Sequence, residues 1–172
     1  MTYTPLIKFC KTWYNSHMFK NMILISAAVV GEFERGKLKF FLVKNGEGSD
    51  WELPKLSVRK TESSVRAVIR MMGEQAGMRV RILDEAARFT TSQQVNGKAV
   101  TQKVFYYAVI HRIDSGESIG FYESAWFDYS KAYKKLSLKR EKESLSSTNR
   151  ILKDWWKRRK IRRKKAAAES EV

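Results

Sequence analysis

The spacing of apolar residues sets out most of the elements of this chain. Residues 23–30 are β-branched and apolar, the signature of a buried strand. Residues 32–37, with Gly36, read as a hairpin turn, and 38–43 return as a strand that is apolar on both faces apart from Lys39. A loop over 45–50 follows from Gly46 and Gly48. The period then changes. Val65, Val68, Ile69, Met72 and Ala76 recur at i, i+3, i+4, i+7 and i+11, one stripe on a helix that begins near Thr61 or Glu62. Gly77 suits a left-handed cap at its end. Residues 79–83 predict a short strand. Residues 88–93 and 98–110 predict two more, joined by Asn96-Gly97, a pair that tolerates the positive φ of tight hairpins. A polar loop (114–120) precedes 123–127, which lead into a short helix over 129–136. Residues 143–160 predict a long helix with Leu145, Ile151, Leu152 and Trp155 on its apolar side. There is no internal repeat. Strands and helices interleave without a regular βαβ rhythm, which implies an α/β fold: a mixed sheet flanked by helices.

Length and composition refine that outline. A chain of 172 residues, 43% apolar and 12% aromatic, supports one compact domain. We place it at 22–156, between an aromatic and basic N-terminal extension (1–21) and a basic tail (157–172). The one cysteine, Cys10, excludes an intramolecular disulfide framework, and His17 and His111 stand too far apart, without cysteine partners, for a zinc motif. The apolar run over 22–30 is too short to span a bilayer. Residues 1–31 have lysines and no acid, as targeting segments do, but they also lack arginine. The expected location is cytoplasmic, with an organelle as the alternative.

Charge says most about partners. The formal net charge is +16 and the pI near 10.0, which favours a polyanion, RNA above all, or a ribonucleoprotein particle. Lys157, Arg158, Arg159, Lys160, Arg162, Arg163, Lys164 and Lys165 form an almost unbroken cationic run. Like charges at this density repel, so the run reads as a flexible tail or an exposed helix end. Against a polyanion each cation releases counterions and gives salt-sensitive binding. Trp156, just before the run, is the candidate for stacking on a base, while Trp155 reads as packing the helix on the domain.

The stretch from Leu56 to Met78 carries the most specific motif. It resembles the Nudix box, G-x5-E-x7-R-E-U-x-E-E-x-G-U with U apolar. Glu62, Arg70, Glu74, Gly77 and Met78 match; Leu56 replaces the first Gly, Met71 the acid after the Arg, and Gln75 the second acid of the pair. Residues 103–107 and 123–127, followed by the Ala132/Leu136 helix, look similar to the diadenosine tetraphosphate hydrolase branch. The resemblance implies a Nudix-type α/β/α sandwich over residues 22–155. It also implies an ion pair between Glu62 and Arg70 that locks the box loop to its helix, and a Mg2+ or Mn2+ site on the helix acids.

Those acids are depleted here. Hard divalent cations take several oxygen ligands, and carboxylates best supply them. Met71 has only a soft thioether, and Gln75 has a carbonyl without charge. Glu74 is the remnant acid, a weak metal ligand on its own. Leu56 removes the backbone freedom and close phosphate approach that Gly allows. Glu47, Asp50, Glu52 or Glu123 would have to restore the site, Glu123 being the foremost. Lys55, Tyr106 and Glu123 are the candidate ligand-binding residues of a nucleotide pocket. The sequence thus favours a nucleotide- or RNA-binding module with no resident cofactor. The rivals are a Nudix pyrophosphatase with rearranged ligands, acting on a dinucleoside polyphosphate, an NTP or an RNA 5′ end, and a scaffold protein of an RNA–protein assembly.

Overall fold

The computed structural model describes residues 22–95 and 98–169. The N-terminal extension, with Cys10 and His17, the Asn96-Gly97 turn and the last three residues of the tail lie outside the described residues. Six strands form one mixed sheet: β1 (Met22–Glu34), β2 (Lys37–Lys44), β3 (Lys55–Ser57), β4 (Met78–Val95), β5 (Lys98–Asp114) and β6 (Glu123–Asp128). The order is β4-β5-β1-β2-β6, with β3 also on β1. Among the described strands, only the β1–β5 pairing is parallel.

Two helical layers cover this sheet, and the strand sequences record both. Ala27 and Val29 of β1 and Phe40 and Leu42 of β2 point to one face; Ala28, Val30, Phe41 and Val43 point to the other. Strands buried on both sides lose polar alternation, which is why these runs read as apolar on both faces. Helices α2 (Tyr129–Lys135) and α3 (Lys139–Glu169) belong to the first face through Ala132, Leu145 and Leu152. Helix α1 (Ser64–Glu74) belongs to the second through Val68, Met71 and Met72. The result is an α/β/α sandwich.

Several expected boundaries move. Residues 79–83 and 88–93 are parts of one long strand, β4, which stays paired with β5 across bulges at Arg79/Val80, Ile82/Asp84 and Glu85/Ala87. A bulge inserts unpaired residues and breaks the period-2 pattern, so the sequence looks like two strands. Helix α1 starts at Ser64, where the Ser63 hydroxyl accepts a hydrogen bond from Arg66 N–H at 3.2 Å. Its buried residues are Ala67, Val68, Met71 and Met72, with Ala76 just beyond; Val65 and Ile69, assigned to the apolar stripe, are exposed. Helix α3 runs from Lys139 through Glu169, so the basic segment from 157 continues the helix, the exposed helix end that was one of its two expected forms. At 31 residues it is roughly 46 Å long.

Two close approaches fix the layers. A Cβ at Gly31 would collide with Leu152 Cδ1, so α3 rests directly on β1 there. Gly77 has φ +62°, and a Cβ on it would run into the backbone of Gly116, which leaves room for glycine alone. Ser115 and Gly116 N–H groups donate to Gly77 O at 2.7 and 3.1 Å. The loop after β5 is thereby held across the end of α1.

Candidate functional site

The box loop and helix α1 are joined by a bidentate pair. Arg70 Nε donates to Glu62 Oε1 and Nη2 to Oε2, both at 2.8 Å. The Arg59 N–H adds a bond to Glu62 Oε2 at 3.2 Å. The hydrogen bond from Arg70 is the main reason the Glu62 carboxyl falls to about 2. The folded value is depressed, so the pair stabilises the protein above the ordinary carboxylate range and loses its effect as pH falls from about 4.5 through about 2. Arg70→Ala is expected to lower the melting temperature by several degrees at pH 7. That deficit narrows as pH approaches 2, which thermal melts across the range would read. Equal melting temperatures at pH 7 would mean that the pair contributes nothing to stability.

The remaining box positions diverge. Met71 is fully buried in the apolar cluster that includes Val30, Val68, Met72 and Val109. Glu74 is well exposed, and among the described residues its one ion-pair contact is Arg70 Nη1 at 3.8 Å. Gln75 caps α1, and its carbonyl accepts from Gly120 N–H at 3.0 Å. A Cβ at Gly120 would collide with Gln75 Cβ, so the loop lies tight on this residue. Glu123 opens β6 and pairs with Lys44 at 2.7 Å. Among the described residues, no three His, Cys, Asp or Glu side chains come together in a set able to hold a metal ion.

The residues assigned to a nucleotide pocket go elsewhere. Lys55 is bound by two carboxylates of its own chain: Glu52, and Glu141 at 2.9 Å. Desolvation works against its ammonium, but Glu141 and Glu52 still hold Lys55 above its usual value. Glu141 is 1% exposed and also faces the Leu53 N–H at 3.4 Å. Burial pushes its carboxyl up, against the pull of Lys55. This pair ties the start of α3 to the strand beside the box. It left no trace in the sequence, because Glu141 lies 86 residues from Lys55 in a Lys/Glu-rich stretch that reads as solvated. Tyr106 is fully buried in the core, edge-on to Phe89, and its hydroxyl has no hydrogen-bond partner among the described residues. Burial raises its pKa. It lines no open pocket; packing on an inward position of β5 overrides the polar tip that suggested a ligand role.

The cationic run lies on α3. From Lys157 to Ala168 the helix is exposed apart from half-buried Arg159. Trp156 stacks flat on Phe33, with ring centroids 4.3 Å apart and planes 8° from parallel. Trp155 packs against the core cluster, as its position on the apolar stripe implied.

A sheet between helices, with the box loop clamped to α1 by Glu62 and Arg70, defines one class of fold. No family model and no curated protein matches the sequence. Solved structures do. An Ap4A hydrolase of C. elegans aligns with TM-score 0.58 at 19% identity, over 76% of this chain and 98% of that one. The Nudix domain of Shewanella oneidensis NrtR, complexed with ADP ribose, aligns with TM-score 0.57 at 15% identity, over 81% and 94%. A MutT protein from Methanosarcina mazei Go1 aligns with TM-score 0.52 at 23% identity, over 78% and 96%. The chain has the Nudix fold.

Proposed function

We propose that this protein is a Nudix-fold binding module for a nucleotide or RNA, and not an efficient hydrolase. The observation that carries this reading is the placement of Met71. The position where the box has its first helix acid holds a thioether packed in the core, and Gln75, the second altered acid, is neutral. The donors on α1 therefore do not fit a Mg2+ or Mn2+ ion: one exposed carboxylate, Glu74, supplies a single charge where several oxygens are needed. Glu123 is engaged by Lys44 and does not complete a set. Such a donor set supports no metal-activated hydrolytic step.

The basic surface supports the binding half of the reading. Eight cations lie on α3 between Lys157 and Lys165, without an acid among them. No described helix is long and apolar enough to cross a membrane. The similar Nudix domain of NrtR is complexed with ADP ribose, which supports keeping a nucleotide ligand in the proposal.

Nucleic-acid binding by the full chain tests the reading. RNA affinity is expected to fall steeply with salt, with a log–log slope near −5 if about seven phosphates are engaged. Changing the eight cations of 157–165 to Gln should remove most of that slope. RNA affinity that is flat between 50 and 200 mM salt would contradict the proposal.

A further inference from the structure

One groove beside α3 is made almost wholly of arginine. It measures ≈ 380 Å3 and is lined by Arg81 of β4, Arg112 of β5, and Trp155, Arg158, Arg159 and Arg162 of α3. The four helix residues fall at i, i+3, i+4 and i+7, so they share one face. Arg81 and Arg112 rise from the paired strands opposite them. The docking of α3 sets this arrangement: Leu152 presses on Gly31, and Trp156 stacks on Phe33.

These guanidiniums gather without neutralisation. None of the five forms a salt bridge among the described residues, while Lys39, Lys44, Lys55, Arg70 and Arg88 all do. The carboxylate of the adjoining cavity, Glu32, faces His111 at 3.6 Å. Asp154 receives Arg158 through its backbone oxygen at 3.4 Å. Arg159 is held below its usual value, first by desolvation and then by Arg163, Arg112 and Arg81. A charge run that served only solubility would spread its cations apart. Here three elements of the fold bring them into one concavity, where they repel until an anion enters.

The aromatic rings in and beside the groove narrow the ligand. Arg112 and Arg159 lie over the Trp155 ring at 5.9 and 5.2 Å. Trp156 already has Phe33 on its ring, and Lys160 lies 5.7 Å from its centroid. The indoles orient cations and leave no open stacking platform for bases. The remaining recognition chemistry is guanidinium to phosphate, in which each planar fork can take two oxygens.

We propose that this groove is a phosphodiester site, which clamps the sugar–phosphate backbone of a nucleic acid between Arg81 and Arg112 on the sheet and Arg158, Arg159 and Arg162 on the helix. It rests on the binding-module reading and deepens it, because it makes two strand residues part of the anchor. Recognition is then independent of base sequence. RNA and DNA share this backbone chemistry, and matched RNA and DNA oligonucleotides distinguish the two sources.

The test is titration of the full chain with labelled RNA and DNA of one sequence and with a scrambled RNA, across a salt series. Arg81→Gln/Arg112→Gln leaves every cation of α3 in place. It is expected to weaken binding about tenfold or more and to make the salt slope less negative by about 1.5, equally for both RNA sequences. Arg162→Gln, on the exposed helix, should shift both quantities in the same direction by about half. Lys60→Gln/Arg66→Gln, two exposed cations just before and on α1, is the charge-matched control and should cost under about twofold. The inference is overturned if the strand pair weakens binding no more than this control while the α3 variants do weaken it; in that case the binding module survives. A wild-type chain that binds neither nucleic acid removes both.

Discussion

Met71→Glu is expected to lower the stability of the domain by about 3–5 kcal/mol and the melting temperature by about 10 °C. The Met71 side chain is fully buried in the apolar cluster that also holds Val30, Val68, Met72 and Val109. A carboxylate there must either stay charged in an apolar site with no cationic partner or be held protonated, and both routes destabilise the fold. Domains of this size hold only about 5–15 kcal/mol in total, so the folded yield of the variant should fall. Met71→Leu keeps the volume and the chemistry of the site, and should cost less than about 1.5 kcal/mol. Denaturant melts of the two variants side by side separate charge burial from altered packing. A glutamate variant as stable as the leucine one would mean that position 71 opens towards solvent and a metal ion. The restored box acid would then have to be reconsidered as a ligand.

Glu141→Ala has the second largest expected effect. Glu141 is 1% exposed and holds Lys55 at 2.9 Å and the Leu53 N–H at 3.4 Å. Removing it strands a largely buried ammonium and leaves a cavity at the root of α3. Breaking such a pair costs about 3–5 kcal/mol when the partner is left alone. Lys55 keeps Glu52, so about 2–3 kcal/mol is the better expectation here. The double change Lys55→Met/Glu141→Leu should recover much of the loss, because a well-packed apolar pair needs no desolvation of charge. If Glu141→Ala were neutral in a denaturant melt, the link between α3 and the box strand would carry no energy.

The sequence showed the fold where packing leaves a periodic trace. The two-faced apolar runs of β1 and β2 and the helix over the box were legible, because each leaves a repeating pattern; the Glu62/Arg70 pair was implied by the resemblance to the Nudix box. The continuous β4 strand was not: its bulges shift the period and imitate a break. The true inward face of α1 was also shifted. Met71 and Ala67 are buried while Val65 and Ile69 are exposed, because the sheet and the loop after β5 meet the helix from a direction that a hydrophobic stripe alone does not specify.

The candidate site was legible in part for the same reason. The box substitutions could be counted from the sequence, but the pairing of Lys55 and the burial of Tyr106 depend on Glu141 and Phe89, partners distant in the chain. Arg81 and Arg112 were missed as well. The Arg79-Val80-Arg81 alternation was a usable signal of a basic strand, since alternate residues of a regular strand share a face. What it could not show is that α3 would bring its own arginines to meet Arg81.

The proposed binding module requires that α1 hold no divalent cation firmly enough to activate water. Its most direct test is turnover of a panel of nucleoside polyphosphates and dinucleoside polyphosphates by the purified chain with Mn2+, run beside Glu74→Gln. No metal-dependent product release above background is expected from either protein. Robust Mn2+-dependent cleavage by the wild type, lost in Glu74→Gln, would contradict the claim.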